Sequence, residues 1–174
     1  RSFHGIIAAA EDNRCEEPAT VSMQCLPVDV VFPVLHGKNG EDGTIQGLLT
    51  MAGIPFVGCG ALASAACMDK ATTHTMLDKA GVLGAKWRAV TAYAYAKDQT
   101  AFLDEVEHAL GFPCFVKPAN AGSSVGITKA ADRETLASAM ELAFMHDTKV
   151  IVEEMIRGKE IECAVLGNEE PIAS

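Results

Sequence analysis

A run of small residues from Ala119 to Gly126, ANAGSSVG, is the stretch whose residue types best suit contact with phosphate. Consecutive small side chains let backbone N–H groups approach phosphate oxygens, and the hydroxyls of Ser123 and Ser124 add donors with little bulk. Lys117 precedes the run and would add a fixed positive charge. The pattern favours a phosphate-covering loop, although a plain hairpin with a solvated lysine has the same spacing. A Walker loop is not indicated, because its GK[ST] ending is absent.

The same run places Gly122, Ser124 and Gly126 in the order GxSxG, the nucleophile elbow of the α/β hydrolases. That elbow requires a strand before the serine and a helix directly after it. Residues typical of a strand follow Ser124, however, and the next helix signal is Asp132. His146 is the one histidine downstream that could complete a catalytic set. The hydrolase interpretation is therefore the weaker of the two.

A second polar turn, His36–Gly47, reads HGKNGEDGTIQG and precedes the apolar face of a helix. The run before it, 29–35, has the pattern of a strand covered on both faces, as in a parallel sheet. Ligands collect at the carboxyl ends of such strands, where helix N-termini attract anions. The turn is therefore where a site is expected, although glycine and acidic residues are also ordinary turn chemistry. A calcium loop is not indicated, because its alternating ligands and closing Glu are missing.

Two further places carry charges that could serve a ligand. Lys70 lies in the first turn of a helix capped by Asp69, where a cation opposes the helix dipole, as a ligand-directed lysine would. Glu153 and Glu154 follow apolar strand residues, and because successive strand side chains alternate, only one can face a given cleft. Glu160 opens the next predicted strand. Paired acids also occur in glycosidases, but no aromatic sugar platform accompanies these.

The twelve-residue turn resembles the first signature of the D-alanine:D-alanine ligases, including relatives that join D-alanine to D-serine or D-lactate. The matching positions are His36, Gly37, Gly40, Glu41, Asp42, Gly43 and 45–47. The resemblance runs from about residue 28 to 168 and implies the ATP-grasp fold, in which nucleotide is held between two sheets. We therefore expect an α/β (α+β) chain with two incomplete parts. These are a Rossmann-like N-terminal substrate domain at 1–68 and the central antiparallel-sheet subdomain at 69–174.

The resemblance also implies which positions act. The implied catalytic positions are Ser123, which would belong to the family's hydrogen-bonded catalytic set, and His36 and Glu41, which would lie beside the first D-alanine and the travelling phosphoryl group. The ATP-binding positions are Lys70, Lys117, Ser123, Ser124, Gly126, Glu153, Glu154, Met155, Ile156 and Glu160. The implied reaction is carboxylate activation, in which ATP converts the first D-alanine to an acyl phosphate. A second D-amino or D-hydroxy acid then displaces the phosphate.

The family's remaining parts are expected outside this chain. An acid that holds the amine of the first substrate is expected before Arg1, and a flexible loop, a transition-state arginine and the Mg²⁺ (or Mn²⁺) ligands are expected beyond Ser174. We therefore expect a piece of a longer homodimeric protein, which binds nucleotide at best and catalyses little by itself. The alternatives are another ATP-grasp carboxylate–amine ligase and a catalytically inert folded fragment.

Composition excludes several classes of partner. The 174 residues carry a net charge of −9 without a basic stripe or interleaved aromatic residues, so a nucleic-acid partner is not indicated. No apolar run approaches the ~20 residues that span a bilayer, and the first residues lack the pattern of a signal peptide, so the cytoplasm is expected. The six cysteines form no CxxC pair and favour structural, core-type thiols over a disulfide set or a metal site.

The elements that must position these residues are predicted from apolar periodicity and from turn signals. Strands are predicted over 3–9, 29–35, 54–57, 86–97, 114–117, 126–130, 150–155 and 160–166. Helices are predicted over 45–52, 61–67, 69–81, 98–110 and 132–146. The strands on either side of the small-residue run are expected to form a hairpin, with the run at its tip.

Overall fold

The computed structural model describes residues 4–7, 24–122 and 124–174. Its strands are β1 His4–Ile7, β2 Gln24–Pro27, β3 Trp87–Thr91, β4 Cys114–Pro118, β5 Thr128–Ala130, β6 Lys149–Glu154, β7 Val165–Leu166 and β8 Ile172–Ala173. Its helices are α1 Thr44–Ala52, α2 Ala61–Met68, α3 Lys70–Lys79, α4 Ala92–Lys97, α5 Gln99–Ala109 and α6 Arg133–Phe144. In this part of the chain β1 pairs with β2, β7 pairs with β8, and a four-stranded sheet has the order β3-β6-β4-β5.

The four-stranded antiparallel sheet organises the second half of the chain. In β4 the side chains of Cys114, Val116 and Pro118 are buried, whereas Phe115 and Lys117 on the other face are half-buried. A strand with one face against a core produces this alternation. Helices α5 and α6 cover the buried face, and their core cluster includes Val106, Leu136, Met140, Val150 and Val152. Burial of each such side chain stabilises the fold by roughly 1.5–3 kcal/mol, so the opposite face has a rigid base.

Aspartates begin three helices where the sequence predicted helix starts. Asp69, Asp98 and Asp132 each accept a hydrogen bond from the backbone N–H three residues further on, at the start of α3, α5 and α6. At α6 the bond is reciprocal, because the side chain of Thr135 also bonds the backbone N–H of Asp132. These local signals are confirmed, and they set the ends of the helices that flank the sheet.

The polar turn that follows residue 35 enters α1 through Gly43. The φ angle of Gly43 is 90°, and a Cβ at this position would lie 2.6 Å from the carbonyl oxygen of Ala61. Residues with side chains adopt such a φ only at a cost, so glycine is required here. The helix ends at Gly53, which is also left-handed and whose N–H bonds the last carbonyls of α1. The helix predicted after the turn is confirmed.

The buried strand predicted over 29–35 is wrong. Val31 makes an isolated parallel bridge with Phe56: its N–H donates to the carbonyl of Pro55, and its carbonyl accepts the N–H of Val57, both at 2.9 Å. The side chains of Phe32 and Val34 are 70% and 71% exposed. A buried parallel strand needs a paired neighbour and a packed layer over each face. The described residues provide one bridge and no such layers.

Two further strand predictions need correction. Over 86–97 the strand ends at Thr91, and 92–97 forms α4, because Thr91 caps the helix and Tyr95 is buried against Phe102 and Phe144. Over 160–166 the strand is reduced to β7, whose one strand partner among the described residues is β8. Every residue from 156 to 174 is exposed, so no packed face extends the pairing there.

The cysteines differ in burial, and the helices bear on the expectation that no segment spans a membrane. Cys114 is buried, and its burial raises the pKa of the thiol to about 11. Cys59, Cys67 and Cys163 are exposed, so the expectation of core-type thiols is wrong for these three. No helix among residues 4–7, 24–122 and 124–174 has the length and apolar character that crossing a membrane requires.

Candidate functional site

The face of the sheet that points away from the core cluster carries a half-buried charge pair. Lys117 on β4 and Glu153 on β6 are diagonal neighbours on this face, since Glu153 lies opposite Phe115. Lys117 Nζ lies 2.5 Å from Glu153 Oε2, and the two side chains are 23% and 12% exposed. Glu154 points the other way, and its carboxylate accepts the backbone N–H of Lys86 at 2.8 Å. The prediction that only one of the two glutamates faces a given cleft is confirmed.

His74 on α3 holds the other oxygen of Glu153. Its Nε2 lies 3.1 Å from Glu153 Oε1, and its ring stacks on Trp87 at a centroid distance of 5.5 Å. Trp87 lies directly opposite Glu153 on β3 and donates its indole N–H to Asp78 at 2.9 Å. His74 is not among the site residues that the sequence predicted. The usable signal was its position four residues after Lys70, which puts both side chains on one face of α3.

Lys70 lies at the start of α3, and its ammonium group contacts the base of the small-residue loop. Its Nζ donates to the backbone carbonyl of Ala121 at 2.7 Å and to those of Pro118 and Ala119 at 3.3 and 3.4 Å. Burial first, and then the positive charge of nearby Lys117, lower the pKa of Lys70 below its ordinary value. Both lysines therefore lie at the base of one loop, Lys117 on the strand that enters it and Lys70 against its first carbonyl groups. An anion bound there would relieve the repulsion between them.

The glycine–serine loop, residues 119–126, joins β4 to β5, which pair as the predicted hairpin. A Cβ on Gly122 would lie 3.3 Å from Gly37 Cα and 3.6 Å from Glu41 Oε2, so the loop contacts the polar turn. Within that turn the N–H of Gly37 donates to Glu41 Oε2 at 2.5 Å. The two glycine-rich motifs of the sequence thus lie side by side.

The residues after Ser124 decide between the two interpretations of GxSxG. Ser124 has a φ of 59° and is followed by a turn and β5, and α6 begins only at Arg133. A nucleophile elbow needs a helix immediately after the serine, so the hydrolase interpretation is wrong. Ser123 lies outside the described residues, and its predicted catalytic role stays a prediction.

A second charge cluster, Asp69 and Lys149, contacts the base of the loop through Asn120. Asp69 forms an ion pair with Lys149 through its Oδ2 and caps α3 through its Oδ1. The side-chain amide of Asn120 donates to Asp69 Oδ2 at 3.4 Å. Burial raises the pKa of Asp69, but the hydrogen bonds and charge of Lys149 and the N–H of Thr72 outweigh it. The pKa therefore lies below its ordinary value.

Replacing Asp69 with Asn should remove this charge while keeping a good helix cap. The lowered pKa means that the carboxylate stabilises the fold above the unfolded-state pKa of about 4, and that this contribution is lost as the pH falls through the folded-state value. Asp69→Asn should therefore unfold at lower urea concentration than the wild type near about pH 7, and the difference should shrink at about pH 3. A difference that stays constant with pH would contradict this assignment.

Other predicted site residues are not brought to the lysines. Met155 is half-buried, Ile156 is 64% exposed, and Glu160 is exposed beyond the end of β6. Among the described contacts, no hydrogen bond or ion pair joins Glu160 to Lys70 or Lys117. His36 is exposed at the start of the polar turn. Gly126 closes the glycine–serine loop with a φ of 71°.

The described residues do not fit a metal ion. Residues 4–7, 24–122 and 124–174 contain no group of three or more His, Cys, Asp or Glu side chains that could hold one. The acids nearest the lysines are already paired, Glu153 with Lys117 and Asp69 with Lys149. This part of the chain therefore offers cations and hydrogen-bond donors to an anion rather than ligands to a metal.

Two family models cover most of the chain. The model described as D-ala D-ala ligase N-terminus matches residues 7–59, and the model described as D-ala D-ala ligase C-terminus matches residues 76–174. A D-alanine–D-alanine ligase of Geobacillus thermodenitrificans is 54% identical over 147 residues, which are 84% of this chain and 40% of the relative. One from Acetivibrio thermocellus is 49% identical over 169 residues, which are 97% of this chain and 45% of the relative. The chain thus spans less than half the length of these relatives.

Solved structures of the same kind have similar folds. The VanG D-Ala:D-Ser ligase from Enterococcus faecalis is 51% identical with a TM-score of 0.78, and the match covers 86% of this chain and 43% of that one. The D-alanine–D-alanine ligase from Coxiella burnetii is 36% identical with a TM-score of 0.80, and the match covers 87% and 44%. These ligases have the ATP-grasp fold, so the predicted α/β fold class is confirmed. The chain belongs to the D-alanine–D-alanine ligase family.

Proposed function

We propose that the protein containing this chain is an ATP-dependent ligase that joins D-alanine to a second D-amino or D-hydroxy acid for peptidoglycan synthesis. One observation carries the proposal: Lys70 and Lys117, from separate elements, both lie at the base of the glycine–serine loop. Two cations at the base of a loop of small residues suit a polyphosphate. Family membership supplies the reaction class, in which ATP activates the carboxylate of the first D-alanine as an acyl phosphate.

The proposed roles follow from charge and position. Lys117 and Lys70 neutralise phosphate charge, and Glu153 holds Lys117 in place until the nucleotide binds. Phosphoryl transfer depends mainly on alignment and on charge neutralisation, so fixed cations on a rigid sheet are suitable groups for it. Glu41 lies against the loop at Gly122. We assign it a position beside the transferred phosphoryl group, as the resemblance implies.

The remaining assignments rest on the resemblance alone and are proposed as such. The residues assigned to the covering loop, the adenine pocket, the ribose and the catalytic set are Ser123, Ser124, Gly126, Glu154, Met155, Ile156, Glu160 and His36. We place the boundary between the substrate domain and the ATP-grasp domain at 68/69, where α3 begins. For the whole enzyme we propose a cytoplasmic homodimer whose Mg²⁺ ligands lie outside this chain.

Isothermal titration of this chain with a nonhydrolysable ATP analogue tests the nucleotide site directly. We expect saturable binding of the analogue and weaker binding of adenosine, because the lysines act on the phosphates. Equal affinity for the two ligands would contradict the role of the lysines. If titration of each ligand releases only the heat of dilution, neither ligand binds, and the chain is better described as an inert folded fragment.

A further inference from the structure

Both ends of the glycine–serine loop rest on the turn that joins α6 to β6. At the first end, the backbone N–H of Asn120 donates to Asp147 Oδ2 at 2.7 Å, and its side-chain amide donates to the same oxygen at 3.2 Å. At the second end, Gly126 has a φ of 71°, and a Cβ there would lie 2.7 Å from His146 Cδ2 and 2.8 Å from Pro118 Cγ. Adjacent residues of one turn therefore lie against the two ends of the loop, and Asp147 hydrogen-bonds the first end.

The turn is itself held by the core of the domain. The N–H groups of His146 and Asp147 donate to the carbonyl of Ala143 at 3.0 and 3.2 Å, and Ala143 is fully buried in α6. Next to it, the N–H of Ala119 donates to the carbonyl of Lys149 at 2.9 Å. Displacement of the turn would disturb α6 and β6 together. The loop thus has a fixed base, with the exposed residues Ser124 and Val125 beyond it.

A carboxylate at this position is unfavourable for anion binding. The charge of Asp147 acts on Lys70, one of the cations assigned to phosphate. A negative charge near a phosphate site weakens the attraction of the site for the ligand. The carboxylate of Asp147 must therefore serve another purpose, and the two hydrogen bonds that it accepts from Asn120 suggest which one.

We propose that Asp147 is a positioning residue, which fixes the base of the glycine–serine loop through Asn120 so that the loop lies over the two lysines. The proposal rests on the proposed nucleotide-binding function for its purpose, but the anchoring itself can be measured without a ligand. Asp147 acts through the backbone of the loop and not on the nucleotide.

The test compares Asp147→Ala and Asp147→Asn in this chain by two measurements, amide hydrogen exchange at Asn120 by NMR and the Kd for the nonhydrolysable ATP analogue. In Asp147→Ala the amide loses its acceptor, and exchange should become about tenfold faster, with weaker analogue binding. In Asp147→Asn an amide oxygen can still accept, so exchange should stay close to the wild type. Because a negative charge is removed, this variant should bind the analogue as tightly as the wild type or more tightly.

Asp132→Ala is the matched control, because it removes the cap at the other end of α6 without touching the loop. If it accelerates exchange at Asn120 as much as Asp147→Ala does, general loss of stability is the cause and the proposal is overturned. Exchange in Asp147→Asn as fast as in Asp147→Ala, or unchanged exchange in Asp147→Ala, also overturns it. Failure of the wild type to bind the analogue would reject the nucleotide function, and exchange alone would then decide the anchoring.

Discussion

Lys117→Met should weaken binding of the nonhydrolysable ATP analogue to this chain by about 10- to 100-fold, the usual effect of losing a charge-assisted contact. The substitution keeps the aliphatic stem on β4 and removes the charge. It also leaves Glu153 without its cation, so a carboxylate would face the phosphates. In the full-length enzyme kcat/KM should fall by about 10²- to 10³-fold, because the cation is needed where charge develops in phosphoryl transfer.

Lys129→Met is the matched control, because Lys129 is an exposed lysine on β5 of the same hairpin. It should leave the Kd close to that of the wild type. The double variant Lys117→Met with Glu153→Gln removes the negative charge that Lys117 no longer balances, and it should recover part of the lost affinity. Unchanged binding in Lys117→Met, or an equal loss in Lys129→Met, would reject the phosphate role of Lys117.

Leu136→Ala should lower the free energy of unfolding by about 2–5 kcal/mol, as expected when a buried leucine is truncated in a core that relaxes only partly. Leu136 lies on α6, is 0% exposed and belongs to the core cluster beneath β4 and β6. These two strands carry Lys117 and Glu153, so the variant should also bind nucleotide less well at temperatures near its melting point. Urea unfolding followed by far-UV circular dichroism measures the loss of stability.

Leu142→Ala is the matched comparison. It removes the same atoms from the same helix, but the side chain of Leu142 is 42% exposed. Leu142→Ala should cost less than about 1 kcal/mol, since surface substitutions leave little cavity. Equal losses in the two variants would show that α6 does not pack on the sheet as described. The two variants thus test, without any ligand, whether α6 packs on the sheet that carries Lys117 and Glu153.

Local chemistry alone was sufficient for the starts of α3, α5 and α6, for the hairpin and for the opposite directions of Glu153 and Glu154. A capping aspartate, a glycine stop and strand alternation act over a few residues, so each can be recognised without knowing the fold. The same holds for the polar turn, whose twelve residues identify the family. Residue patterns gave the wrong element where tertiary packing decided the conformation. Residues 92–97 were predicted as strand but form a helix, in which Tyr95 packs against Phe102 on α5 and Phe144 on α6.

The tertiary structure decided which side chains meet. His74 and Glu153 are 79 residues apart in the chain, Lys70 and Ala121 are 51 apart, and Asn120 and Asp147 are 27 apart. No periodicity encodes such contacts, because they depend on the register of β6 against β3 and β4 and on how α3 docks beside the sheet. The residue types and their local elements could thus be predicted from the sequence. Their convergence into one charged site required the packed fold.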